Sequence, residues 1–124
     1  AWVYDDARVY DDARVYGNAL VSGDAWVYDD ARVYDDARVY GNALVSGDAL
    51  IDNAKALIAI SPIGSENGTL TAFKNKQGGI SVNRGCFSGT LEEFEQAVKK
   101  THGDNKYAKT YKLAIELIKS RLEE

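Results

Sequence analysis

Valine recurs every six residues through the first half of the chain, and alanine follows four residues after each valine. The series runs Val3, Val9, Val15, Val21, Val27, Val33, Val39 and Val45, with alanines from Ala7 to Ala49. A period of six excludes a helix, because a 3.6-residue turn scatters these valines around the axis. Each unit reads instead as Ala-x-Val, a short strand whose alternate residues point one way. Asp-Asp, Gly-Asn or Gly-Asp then follows, and these are turn formers. One such strand cannot bury its face alone, whereas stacked coils bury a continuous core. The valine phase continues as Ile51, Leu57 and Ile63, while the alanine phase breaks at Lys55 and returns in Ser61, so the array decays from about residue 52. Residues 1–24 recur unchanged as 25–48, as expected of an engineered or recently expanded array.

An aliphatic residue followed four positions later by a small one, as in Val3-Tyr4-Asp5-Asp6-Ala7-Arg8, resembles the motif of the hexapeptide-repeat, left-handed parallel β-helix family. Eight successive units match in one phase, and the resemblance covers about residues 1–63. It implies three hexapeptides per triangular coil, hence 18 residues per turn. The expected fold is mainly β: a short left-handed parallel β-helix, a solenoid of about three coils, with a C-terminal α+β cap. The domains expected are the solenoid over 1–63 and the cap over 64–124.

With an 18-residue coil, residues 18 apart stack about 4.8 Å from each other. The core ladder then has three faces: Val3, Val21, Val39 and Leu57; Val9, Val27, Val45 and Ile63; Val15, Val33 and Ile51. Outside, Tyr10 lies over Tyr28, Tyr16 over Tyr34 and Arg14 over Arg32, and these six form the candidate interaction surface, for protein or glycan. Cross-strand packing explains the same rows without a partner, since tyrosine favours strands and arginine lies across rings. Asp11 and Asp12 lie over Asp29 and Asp30 at one corner, with Asp48 next; solvated turn residues account for them more simply than a cation site.

The second half changes character. Thr69–Phe73 and Ile80–Asn83 alternate like strands around the turn cluster 75–79, predicting a hairpin. Thr90 with Glu93 spells a capping box. A helix follows to about His102 with Leu91, Phe94 and Val98 inward, and Gly103 ends it. Asp104 reads as the next N-cap, before a second helix burying Tyr107, Tyr111, Ala114, Ile115, Ile118 and Leu122, so the two helices form an antiparallel hairpin. Lys55, Pro62 and Gly64 spoil the repeat where this end-piece begins, as a cap that stops onward strand pairing requires. The end-piece resembles tails that follow hexapeptide arrays in bacterial and phage-encoded proteins, a likeness that implies no activity.

Charge divides along the same line. Residues 1–60 carry 11 acidic and 5 basic groups, net −6, and residues 61–124 carry 8 and 10, net +2. The overall −4 and the aspartates beside every arginine row argue against nucleic acid. No run of about 20 apolar residues spans a membrane. A single cysteine, Cys86, excludes an internal disulfide framework and fits a reducing, cytoplasmic setting. The absence of methionine marks a processed or trimmed chain, or a fragment.

Relatives of the resembled family include acyltransferases, which implies a histidine on a coil as base and CoA between neighbouring solenoids. The one histidine here, His102, lies outside the array, and no loop interrupts the units before residue 51, so no catalytic residue carries over. Cys86 with His102 reads as a buried thiol and a helix-end imidazole rather than a thiol catalyst. Gly-rich stretches lack phosphate-loop spacing. The expectation is therefore a non-enzymatic structural or interaction module with no catalytic, cofactor or metal site. The alternative is an acyltransferase-type protein or remnant that has lost its catalytic histidine. Self-association is the expected partnership, as an end-to-end dimer through the first coil or a lateral trimer through the Tyr/Arg faces; a separate protein partner is a further expectation.

Overall fold

The valine spacing sets the architecture of the computed structural model, which describes residues 1–64, 68–84 and 87–122. Nine two-residue strands occupy the repeats: β1 (Trp2–Val3), β2 (Arg8–Val9), β3 (Arg14–Val15), β4 (Leu20–Val21), β5 (Trp26–Val27), β6 (Arg32–Val33), β7 (Arg38–Val39), β8 (Leu44–Val45) and β9 (Leu50–Ile51). They form three parallel sheets, β1-β4-β7, β2-β5-β8 and β3-β6-β9. Val3 pairs with Val21, Val9 with Val27 and Val15 with Val33, so the coil is 18 residues and the solenoid has three coils. Val21, Val27, Val33, Val39, Val45 and Ile51 are fully buried, together with the corner alanines from Ala19 to Ala43.

Each corner needs one residue in the left-handed region. That residue is Asp5, Asp11, Asp29 or Asp35, or Gly17, Gly23, Gly41 or Gly47, at φ between 52° and 68°. At the corners of Asp5, Asp11, Gly23, Asp29, Asp35 and Gly41 the preceding carbonyl accepts the N–H three residues on, as Tyr4 does from Ala7, which closes the turn. Glycine holds this conformation without strain, and aspartate is among the residues that tolerate it. Asp5 and Asp29 add a bond between coils: each Oδ2 accepts the N–H of the glycine 18 residues later, Gly23 at 3.3 Å and Gly47 at 3.2 Å.

The series ends at Asn53, whose backbone is extended. Its side chain caps a 3-10 turn (Ala54–Ala56) by accepting the Lys55 N–H at 2.7 Å. The turn redirects the chain into β10 (Leu57–Ile63), the outer strand of an antiparallel sheet with β11 (Gly68–Lys74), β12 (Ile80–Arg84) and β13 (Phe87–Thr90). This corrects the expected rungs. Leu57 remains in the solenoid core but pairs with Phe73 rather than stacking on Val39 as a fourth coil. Ile63 packs in the separate core beneath the helices, not on Val45. Pro62, which has no N–H, sits on the sheet's outer edge at a register shift.

The sheet is the middle of three layers. Leu57, Ala59 and Phe73 face the end of the valine core, while Ile58, Ile60, Leu70, Ala72, Ile80 and Val82 face two helices. Helix α1 (Leu91–His102) starts at the Thr90–Glu93 capping box and ends at Gly103. Its buried residues are Leu91, Phe94 and Val98, as the pattern predicts. Helix α2 (Lys106–Leu122) buries Tyr111, Ala114, Ile115, Ile118 and Leu122, with Tyr107 half-buried. Its N-terminal amides belong to Asn105, whose Oδ1 accepts from Tyr107 and Ala108 at 3.0 Å, so the cap lies one residue beyond the expected Asp104. Hairpin and helices are thus present as read, with β10 and β13 completing the sheet.

Candidate interaction surface

A 24-residue duplication wound on an 18-residue coil places different residues on each face. Face one carries the row Trp2, Leu20, Arg38; face two carries Arg8, Trp26, Leu44; face three carries Arg14, Arg32, Leu50. Tyr10 and Tyr28 therefore stand on the second face, and Tyr16 and Tyr34 stand on the third with Arg14 and Arg32. The six residues expected as one surface are divided between two faces.

Both tyrosine pairs stack as expected. Tyr10 and Tyr28 lie 5.2 Å apart with planes 6° from parallel, and Tyr16 and Tyr34 lie 5.2 Å apart at 9°. On the second face Tyr10 also meets Trp26 edge-on, and the Arg8 guanidinium lies 5.7 Å from the Trp26 ring centre. Burial within the ladders raises the phenol pKa values of Tyr10 and Tyr34 above the ordinary value. For Tyr10 the neighbouring Tyr28, Asp11 and Asp29 add to this; for Tyr34 they are Asp52, Tyr16 and Asp35. Much aromatic surface remains in water: Trp2 is 72% exposed, and Tyr4, Tyr16 and Tyr40 are each about half exposed. Such outward rows combine apolar area with polar tips, the chemistry enriched at protein interfaces.

The acidic corner is arranged differently from a metal centre. Asp12, Asp30 and Asp48 line one groove together with Arg14, Arg32 and Lys76. Asp48 is taken by the cap: Gln77 Nε2 donates to it at 2.9 Å and Lys76 lies at 3.6 Å. The Gln77 bond first, and then the Lys76 charge, hold the Asp48 carboxyl below its usual range. Among the described residues no cluster of three or more His, Cys, Asp or Glu side chains is placed to hold a metal ion.

The features that sequence reasoning missed are polar groups facing the last coil. In every lower coil the N–H before the valine donates to the residue 17 later, as Arg8 does to Ala25 and Trp26 to Ala43. Leu44, the next in that row, has no coil above it. Its N–H goes to Thr71 Oγ1 at 3.1 Å, and its carbonyl accepts Asn83 Nδ2 at 2.8 Å. The same Asn83 nitrogen reaches Ser46 Oγ at 2.9 Å. At the hairpin tip, Asn75 bridges Ala49 and the Lys76 N–H donates to Asp48 O at 3.0 Å. Buried polar residues at alternate strand positions were the available signal. His102 stacks on Tyr111 and meets Tyr107 at a tilt of 52°, and Cys86 lies outside the described residues.

These observations define a class: a parallel β-solenoid of three coils closed at its C-terminal end by an α+β cap. The family model described as YdcK Beta solenoid repeat matches residues 13–29, 31–47 and 37–53. The first two stretches begin one coil apart and the third begins one strand-and-corner unit later, so the match follows the six-residue unit. All three lie within the array. No curated protein and no solved structure matches the chain.

Proposed function

We propose that the chain is a non-enzymatic structural or interaction module, a capped solenoid scaffold on whose flanks copies of the chain pack side by side in the cytoplasm. The observation that carries this reading is the stacked pair of outward tyrosines on each of two faces, with Tyr10 and Tyr16 exposed. A rigid ladder loses little side-chain entropy on docking, because its rings are already ordered by stacking. The tightly filled valine–alanine interior also supports it, since side chains there serve packing alone. Calorimetric titration with acetyl-CoA tests the non-enzymatic part, and sedimentation across a concentration series tests self-association. The expected results are a silent titration and a mass that rises with concentration. Saturable micromolar binding of acetyl-CoA, or a monomer at high micromolar concentration, overturns the reading.

A further inference from the structure

The third face carries two rows of opposite charge side by side along the solenoid axis. Asp12 and Asp30 form one, and Arg14 and Arg32, register partners in β3 and β6, form the other; both line the same groove. Among the described residues, none of these four makes an ion pair within the chain. The third rung breaks both rows together: Leu50 replaces the arginine, and Asp48 is engaged by Lys76 and Gln77. The face thus offers two unpaired cations beside two unpaired anions, matched rung for rung.

We propose that this face recognises the same face of a second copy. The inference rests on the self-association reading above and gives it a geometry. A two-fold axis parallel to the solenoid axis maps the arginine row of one copy onto the aspartate row of the other. Arg14 then faces Asp12 of the second copy, Arg32 faces its Asp30, and the relation is reciprocal. A two-fold axis perpendicular to the solenoid, within the interface, sets arginine against arginine and is repulsive. The charge pattern therefore selects parallel, side-by-side pairing, with Tyr16 and Tyr34 flanking the contact.

Row reversal tests this. Among the described residues, the Asp12 and Asp30 side chains make no hydrogen bond to the backbone, unlike Asp29, so changing them leaves the corners intact. Two variants are made, Arg14→Glu with Arg32→Glu, and Asp12→Lys with Asp30→Lys, and circular dichroism verifies that each is folded. Native mass measurement at low salt reads the assemblies. The wild-type chain is expected to dimerise, with weaker association as salt screens the rows. Each variant alone is expected to bind itself at least about tenfold more weakly, whereas their equimolar mixture forms a heterodimer. Variants that associate like wild type, or a mixture that stays monomeric, overturn the pairing while leaving self-association standing. A wild-type trimer overturns the two-fold geometry, and a wild-type monomer overturns both readings.

Discussion

Asn83 reaches across from the cap sheet to the last coil and donates its Nδ2 to the carbonyl of Leu44 at 2.8 Å. Together with Thr71 Oγ1 on the Leu44 N–H, it supplies the donor and acceptor that another coil would have offered. Both side chains are buried, so water does not replace them. Thr71→Val keeps the shape and leaves the Leu44 N–H without its partner, and is expected to cost about 1–3 kcal/mol. Asn83→Leu removes two bonds at once and is expected to cost more. Urea denaturation of the two variants measures both; an unchanged midpoint for each would remove the side-chain capping account.

The core ladder discriminates between its two residue types. Val27 and Ala31 are both fully buried, but Val27 faces the core from a strand and Ala31 fills a corner. Val27→Ala leaves a cavity worth roughly 1–3 kcal/mol. Ala31→Leu forces bulk into a corner without slack and is expected to cost more. Thermal melts that rank the two in the opposite order contradict the assignment of the corner.

At the corners, Asp29 combines a left-handed backbone with a hydrogen bond to Gly47. Asp29→Gly loses the bond and gains conformational ease, so it should be near neutral. Asp29→Ala loses the bond and keeps the strain, and is expected to be less stable than the glycine variant by about 1 kcal/mol. Differential scanning calorimetry reads the order.

How much of this was legible follows from where a residue's partner lies. The strands and corners come from spacing within the array, where each unit's partner is another copy of itself, while the 18-residue coil, and with it the tyrosine stacks, comes from the family resemblance that the repeat carries. Leu57 and Ile63 keep the valine phase in sequence, yet the turn at Ala54–Ala56 changes the chain's direction, and phase says nothing about direction. Asp104 and Asn105 are adjacent and equally competent caps, so which one closes α2 is settled by the approach of the chain. Thr71 and Asn83 occupy polar positions of alternating strands, a pattern that reads as a solvent face until the last coil is placed against it.

Acidification should loosen the cap. The Asp48 carboxyl is held below its ordinary range by Gln77 and then Lys76, and Glu93 by the Thr90 N–H and hydroxyl. A lowered folded-state value contributes stability above the unfolded value, near pH 4, and that contribution disappears as pH falls through the folded value. Wild type is therefore expected to exceed Asp48→Asn in stability at pH 7, with the gap closing below about pH 4. Chemical denaturation at the two pH values tests this; a gap that widens on acidification contradicts it.

The most direct test of the capped solenoid removes the cap. Strand β10 belongs to the cap sheet, so the cut falls before it, deleting residues 57–124. The upper side of the third coil then presents the unpaired groups of Leu44 and its neighbours over an open valine core, a template for another chain. Size-exclusion chromatography and electron microscopy of residues 1–56 should show aggregates or fibres at concentrations where the full chain remains soluble. A folded, soluble monomer of residues 1–56 would show that the array needs no cap.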